Sequence, residues 1–585
     1  MAEFKKVVIT KKGQSLMAKL MSGTGTVEFT RIAVSSTTYT DAQLEVLTSL
    51  SSIKQSAPVS KVLRTNDVAV QVEGAITNTD ITTGYYMQTL GLYALDPQDG
   101  EILYAVTNAS VAGYMPPFNG RTPSGAFFKL VTTIGNADNV NLQVDPAAVA
   151  TVGDIQDLQS QLNNIQSYIG YEDENIVGIE ADFETKKVTR LAGATNRTAG
   201  QSFDDIATFG NRRRCILTDG GKVLAYHGQT GYTENGALTQ AIINGEITYP
   251  VGTKVQVMVE QPKFYYKVVP LKLDKVIGGK GFHLRKARYY VSDEQKLGFK
   301  IHPAFIHNGK VKNNIYLSAY EGSIYDVSTN SHILDDAQIA DFATDKLASI
   351  SGTKPASGLT QNLTRANTRK LANNRGIGWN QSYGATVAAT QLLFSIEYAS
   401  FNTQEKIGLG VSKTDDGVTN MGEPTGATTL LGNKSGKTDN GSITYRGEEN
   451  FWMNLWMFVD GLNIEAKGLH NLYVADHDFV DDVGTAPYKD AGITIAKTNG
   501  YISAFAYNEE FDWLFFPSET TGNSSVPVGD YLYQNNTANS WYIARFGGYW
   551  ADVLGGGSFF WRVYNVASDR YRDIGGRLVY VPGVA

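Results

Sequence analysis

Apolar and polar positions change their period several times along the chain, and each change predicts an element. Near the start, Val7, Val8 and Ile9 suggest a strand, and Gln14 to Met21 a short helix. Gly-Leu-Tyr-Ala-Leu at 91–95, Asp96-Pro97-Gln98-Asp99-Gly100, and Glu-Ile-Leu-Tyr-Ala-Val at 101–106 together predict a β-hairpin. Its turn holds the residues that turns need. The alternation in Val140-Asn-Leu-Gln-Val144 predicts a final strand of a first domain over 1–150. Asp154 then caps a helix in which Ile155, Leu158, Leu162, Ile165 and Ile169 are spaced as the a/d seam of a coiled coil. The residues between them are polar apart from Tyr168. A helix this short does not hold such a seam by itself. Mixed Ile and Leu at both positions lean towards three strands; a single amphipathic helix packed on its own domain is the alternative. The helical segment spans 151–171, with Gly170 closing the helix, and the acidic run from Tyr171 opens a linker over 172–189. Ser351–Leu363 and Asp415–Asn440 read as loops within one large domain over 190–585. No internal repeat indicates a solenoid or propeller.

Composition adds the fold class. Gly is abundant at 59, Tyr and Phe number 32 and 25, and runs of helix formers are scarce. That balance favours strands, tight turns and structured loops, hence an α+β, β-rich protein. A net charge of −7 steers the molecule to neither nucleic acid nor anionic membrane. The basic triplet Arg212-Arg213-Arg214 reads as a solvated or ion-paired turn. No apolar run reaches a membrane span, and Met-Ala-Glu-Phe-Lys-Lys lacks the apolar stretch of a signal peptide. Synthesis in a host cytoplasm, with no membrane insertion, is the expectation. The single cysteine, Cys215, opens an apolar run and reads as a small buried hydrophobe.

Candidate chemistry is sparse. Gly432-Asn-Lys-Ser-Gly436-Lys437-Thr438 is one residue short of a phosphate-binding loop and reads as a polar turn. His302-Pro303-Ala-Phe-Ile-His307 lacks the glutamate and the spacing of a zinc-protease helix. Asp476-His477-Asp478 with Asp481 and Asp482 reads as an acidic loop rather than a cation site. No Ser or Cys nucleophile motif stands near a histidine, and no cofactor or metal is expected. The protein therefore reads as a non-enzyme.

The last forty residues differ from the rest. Of the 36 residues from Arg545 to Tyr580, nine are aromatic, five are Arg and three are Asp, with no Lys or Glu. Tyr, Trp and Arg carry the binding energy of interfaces, and Tyr does so at low entropy cost. Asp569-Arg570-Tyr571-Arg572-Asp573 shows neither a two-residue nor a 3.6-residue apolar period, so it reads as displayed. A binding surface and a strand pair with exposed loops both suit this composition.

Gly547-Gly548-x-Trp550, Gly557-x-Phe559-x-Trp561, Ala567-Ser568 and Ile574-Gly575-x-Arg577-Leu578 form a frame. Over 546–579 it resembles the variable region of retroelement-diversified, major tropism determinant-like proteins of C-type-lectin fold. Ser395-Ile-Glu397-Tyr398, Tyr445-Arg446-Gly447-Glu-Glu-Asn450-x-Trp452 and Val459-Asp460-Gly461 resemble the body of the same domain. In such families adenines are copied with errors, so Asn codons become many residue types, but not Trp. The resemblance implies a fixed frame at Trp550, Trp561, Gly575 and Arg577. It implies varied, receptor-binding positions at Tyr549, Ala551, Asp552, Leu554, Phe560, Arg562, Tyr564, Asp569, Arg570, Tyr571, Arg572 and Asp573. Glu423-Pro424-Thr425 and Trp379-Asn380-Gln381 are incomplete forms of the calcium-lectin signatures. Oxidases that share the fold need cysteines in the C-terminal part, and Cys215 lies far upstream. Ile9-Thr10-x-x-Gly13 and Gly91-Leu92-Tyr93 give 1–150 a resemblance to phage tail-collar or tail-fibre attachment domains.

Together the resemblances imply a homotrimeric fibre on a virion tail or tail tip. Its N-terminal domain would join the phage tail or baseplate, and its C-terminal face would bind a bacterial surface protein or glycan. The alternatives are a tail-borne glycan depolymerase, a bacterial adhesin, or a fibre of a phage-derived injection device.

Overall fold

A computed structural model describes residues 3–21, 27–66, 69–120, 124–133, 161–162, 165, 170–335, 338–357, 362–412, 423–465, 468–521, 523, 528–535, 537 and 540–583. The chain divides into two compact units, Met1–Gln159 and Ser160–Ala585. Both are β-rich. Among the described residues only three helices reach nine residues: Lys11–Met21, Arg365–Asn373 and Gly384–Tyr398.

In the smaller unit the helix Lys11–Met21 lies on the long hairpin Tyr85–Asp96/Gly100–Met115. Thr10 Oγ1 donates to the Leu103 carbonyl (2.6 Å) and accepts from the Gly13 amide (3.0 Å), which caps the helix against the strand. A Cβ on Gly13 would stand 2.1 Å from the Tyr104 carbonyl oxygen, so only glycine permits this approach. These two contacts explain the spacing in Ile9-Thr10-x-x-Gly13. In the hairpin turn, Asp96 accepts from the amides of Gln98 and Asp99, and Gly100 has φ 73°. The hairpin joins Glu28–Ser35 and Ile53–Pro58 in one sheet; Lys61–Asn66, Ala69–Thr77 and Gly125–Thr133 form a second. Leu16, Ile32, Val72, Leu92, Tyr104 and Leu130 belong to one core, shared by the helix and both sheets. The strand expected over 140–144 lies outside the described residues.

The larger unit holds three principal sheets. Residues 172–189, expected as a linker, contribute the strand Ile176–Asp182 to the first of them. It pairs with Lys187–Ala192 on one side and Phe282–Ser292 on the other. Val177, Ile179 and Ala181 enter the main core, and this burial outweighs the acidic run before them. The triplet 212–214 is not a turn. Arg213–Leu217 is a strand of the second sheet, and Arg212 and Arg214 are buried. They ion-pair with Glu448 and Glu234, and so lose the exposure that a basic triplet suggests. Cys215 is buried, and its burial pushes the thiol above its ordinary range.

The third sheet carries the site. Its strands run in the order Lys489–Thr494, Asn471–Val474, Trp456–Glu465, Trp541–Gly547, Gly557–Val563, Tyr531–Gln534 and Gly500–Tyr501. The helix Gly384–Tyr398, buried along all but its last residue, packs into the main core beside them. Of the helical seam, only Leu162 and Ile165 fall within the described residues. Both are helical and exposed, at 55% and 53%; Ile155, Leu158 and Ile169 lie outside. Among the described residues no helix is long and apolar enough to cross a membrane.

Candidate functional site

The strands Trp541–Gly547 and Gly557–Val563 form an antiparallel pair at the centre of the third sheet. Their side chains alternate between two sides. Tyr542, Ala544, Phe546, Phe559, Trp561 and Val563 point into the main core. Ile543 and Phe560 enter a second, smaller cluster with Trp456, Phe458, Ala567 and Ile574. Arg545 and Arg562 are Cα partners, placed by the alternation on that second side.

Two loops flank this second side, 548–556 and 564–573. Gly547 and Gly548 have φ 93° and 87°, a turn that bulkier residues enter only with strain. In the first loop Ala551 and Leu554 are exposed, Leu554 at 61%, and Tyr549 is half-buried against the Trp550 ring. Asp552 accepts from the Tyr549 amide (2.9 Å), and burial pushes its carboxyl up to about 7. In the second loop Tyr564, Arg570 and Tyr571 are exposed, and Asp569, Arg572 and Asp573 are half-buried. Asp569 accepts from the Asn565 side chain (2.7 Å). Arg562 is half-buried, with its guanidinium 4.7 Å from the Tyr533 ring centroid and 5.5 Å from that of Tyr564.

Phe560 differs from the other candidate positions. It is 3% exposed, packed edge-on against Trp456 at 4.5 Å between centroids. Its strand alternation turns it under the surface, so its ring supports the loops and is not displayed.

The frame residues are buried. Trp561 stacks on Phe516 (4.6 Å) and donates from Nε1 to the Phe515 carbonyl (2.9 Å). Trp550 packs into the main core. A Cβ on Gly575 would stand 2.7 Å from the Ala356 carbonyl. Arg577 donates to the carbonyls of Ser318 (2.9 Å), Glu449 (2.9 Å) and Asn450 (3.3 Å), tying the end of the chain to two distant segments. Trp456, Tyr531 and Tyr533, which also build the site, lie outside the C-terminal segment that sequence reading singled out. The alternation in Tyr531-Leu532-Tyr533-Gln534 is the available signal, since Leu532 and Gln534 are buried and alternate with the two less buried tyrosines.

Among the described residues no group of three or more His, Cys, Asp or Glu could hold a metal ion. Asp481 instead pairs with Arg365 and Arg369.

Residues 1–153 match the family model of the phage tail-collar fibre protein, N-terminal, so the chain carries an N-terminal tail-collar fibre domain. Such a domain implies a place on a virion tail. No curated protein matches the chain. Among solved structures the chain is similar to variants of the major tropism determinant. The M1 variant is 13% identical, with 69% of this chain and 93% of that one covered and a TM-score of 0.25. The P3c variant is 12% identical, with 63% and 72% covered and a TM-score of 0.23. The U1 variant is 12% identical, with 68% and 77% covered and a TM-score of 0.23.

Proposed function

We propose that this protein is a phage tail receptor-binding protein that attaches the virion to a bacterial surface receptor without catalysis. The tail-collar fibre domain at 1–153 supports the virion end of this reading. The observation that carries the receptor end is the separation of display from frame. Of the twelve candidate positions, Phe560 alone is buried, whereas Trp550, Trp561, Gly575 and Arg577 are all buried. A rigid sheet that carries exposed Tyr, Arg and Leu on two adjoining loops suits recognition. It also suits diversification, because exposed loop positions accept substitution with little effect on folding.

The finer parts of the proposal follow. The larger unit, whose first sheet includes Ile176–Asp182, holds a C-type-lectin-like receptor-binding domain, and a retroelement diversifies 546–579 within it. Three copies join through the 151–171 helix; the exposure of Leu162 and Ile165 in a single chain supports burial against further copies. Trimerisation turns weak contacts into avidity where receptor spacing allows simultaneous engagement.

The test pairs two measurements. Purified protein added to susceptible bacteria should block phage adsorption, and a Tyr571→Ala/Arg572→Ala variant should not; equal blocking by both refutes the assigned face. Deep sequencing of the 3′ end of the gene in clonal progeny should show changes at the candidate positions with Trp550 and Trp561 constant. A uniform segment removes the diversification.

A further inference from the structure

Two arginines oppose each other at the floor of the face. Arg545 and Arg562 are partners across the central strand pair, where like charges repel. Both guanidinium groups lie over the Trp456 ring, 5.7 and 5.9 Å from its centroid. Arg545 is buried and donates from Nη2 to Asn565 Oδ1, while its Nε and Nη1 have no partner. Nε of Arg562 is also buried and unpartnered. Among the described residues no carboxylate stands within ion-pair distance of either guanidinium. The neighbouring acids are Asp552, Asp569 and Asp573. Asp552 and Asp569 are engaged by the Tyr549 amide and the Asn565 side chain. Asp552, its carboxyl pushed up to about 7 by burial, gives only part of a charge near neutrality. Asp573 and Asp569 both act on Arg545 through space without touching it.

We propose that Arg545 and Arg562 form the floor of an anion-binding subsite that takes the carboxylate or phosphate of an acidic saccharide on the receptor. This rests on the receptor-binding reading and names the ligand class. A guanidinium presents a planar fork to either anion. Burial costs an unmatched charge dearly, and a docking anion relieves that cost. Arg562 makes the contact, and Arg545 beneath it adds a second positive charge. The saccharide follows from the rings that flank Arg562. Tyr533 and Tyr564 are exposed and 5.7 Å apart between centroids, so a pyranose can lay its C–H face on either while its acid group meets the guanidinium. Arg545 precedes the segment 546–579, whereas Arg562 is among the candidate varied positions. The subsite is therefore half fixed and half changeable, and clones that lose Arg562 lose the preference for acidic sugars.

The test uses the full-length protein and four probes: glucuronate, glucose 6-phosphate, glucose and a poly-glutamate peptide. Calorimetry or saturation-transfer NMR should show glucuronate or glucose 6-phosphate, or both, binding at least tenfold better than glucose, and more weakly as salt rises. The two anions separate a carboxylate preference from a phosphate preference. Arg562→Gln should lose at least tenfold in affinity and Arg562→Lys should retain part of it, with melting curves establishing that each variant is folded. Anions that bind no better than glucose, or that bind Arg562→Gln unchanged, overturn the subsite. Peptide binding with both acidic sugars silent overturns the saccharide assignment. Adsorption of the protein to cells with no anion binding ends the subsite and leaves the receptor reading standing. Anion binding through Arg562 with no adsorption to any susceptible strain does the reverse.

Discussion

Replacing Trp561 should damage the larger unit far more than replacing the residues displayed a few ångströms away. Its side chain is 1% exposed, stacked on Phe516 and close to Phe546 at 6.0 Å. Trp561→Ala removes this packing, at a cost of about 3–5 kcal/mol. It also leaves the buried Phe515 carbonyl without its donor, about 1 kcal/mol more. Phe560→Ala should cost about 3–5 kcal/mol for the same packing reason. Leu554→Ala, Tyr564→Ala and Tyr571→Ala remove exposed side chains and should stay within about 0.5 kcal/mol. All seven tryptophans lie between positions 379 and 561, so tryptophan fluorescence during urea unfolding reports on the larger unit. The midpoint should fall sharply for Trp561→Ala and Phe560→Ala, and hardly at all for the other three. If Tyr564→Ala or Leu554→Ala falls as far as Trp561→Ala, the face and its frame are not separable and the tolerance argument fails. A neutral Phe560→Ala would return Phe560 to the displayed set.

Three further outcomes are expected. Gly13→Ala should destabilise the smaller unit by about 3 kcal/mol, because the clash is with a backbone carbonyl that cannot swing aside; limited proteolysis of 1–150 checks it, and unchanged resistance refutes it. Burial raises the Asp552 carboxyl to about 7, so its contribution to stability is complete below the unfolded value near 4 and is lost as pH rises through about 7. Asp552→Asn should flatten the decline in melting temperature between about pH 4 and 7, and superimposable wild-type and variant profiles would count against the buried carboxyl. Leu162→Asn/Ile165→Asn should convert a trimer to monomers in sedimentation analysis, whereas a wild-type protein that is already monomeric removes the seam.

Local chemistry was legible in the sequence where one short segment settles the geometry. Thr10 and Gly13 sit three residues apart because one caps the helix and the other brings it onto the strand. Asp96 and Gly100 make their own turn. Asp569–Asp573 lacks an apolar period and lies at the surface, exposed or half-buried throughout. What stayed hidden depends on partners far away in the chain. The triplet reads as a solvated or ion-paired turn, but that Arg212 pairs in the interior depends on Glu448, 236 residues later. Residues 172–189 look like a linker until Ile176–Asp182 finds Phe282–Ser292. The resemblance puts Phe560 among the varied positions by its place in the frame, and the continuous aromatic run Phe559-Phe560-Trp561 gives no alternation to separate inside from outside, because the strand is covered on both faces. The cover over its second face comes from Trp456 and Phe458, a hundred residues upstream. The same remote tryptophan carries Arg545 and Arg562. A face whose loops lie in one segment but rest on a tryptophan from another can change its displayed residues, Arg562 among them, while Trp456 and Arg545 stay in place. For that reason the fixed part of the anion preference rests on Arg545 above Trp456, whereas the part carried by Arg562 and Tyr564 changes with the varied positions.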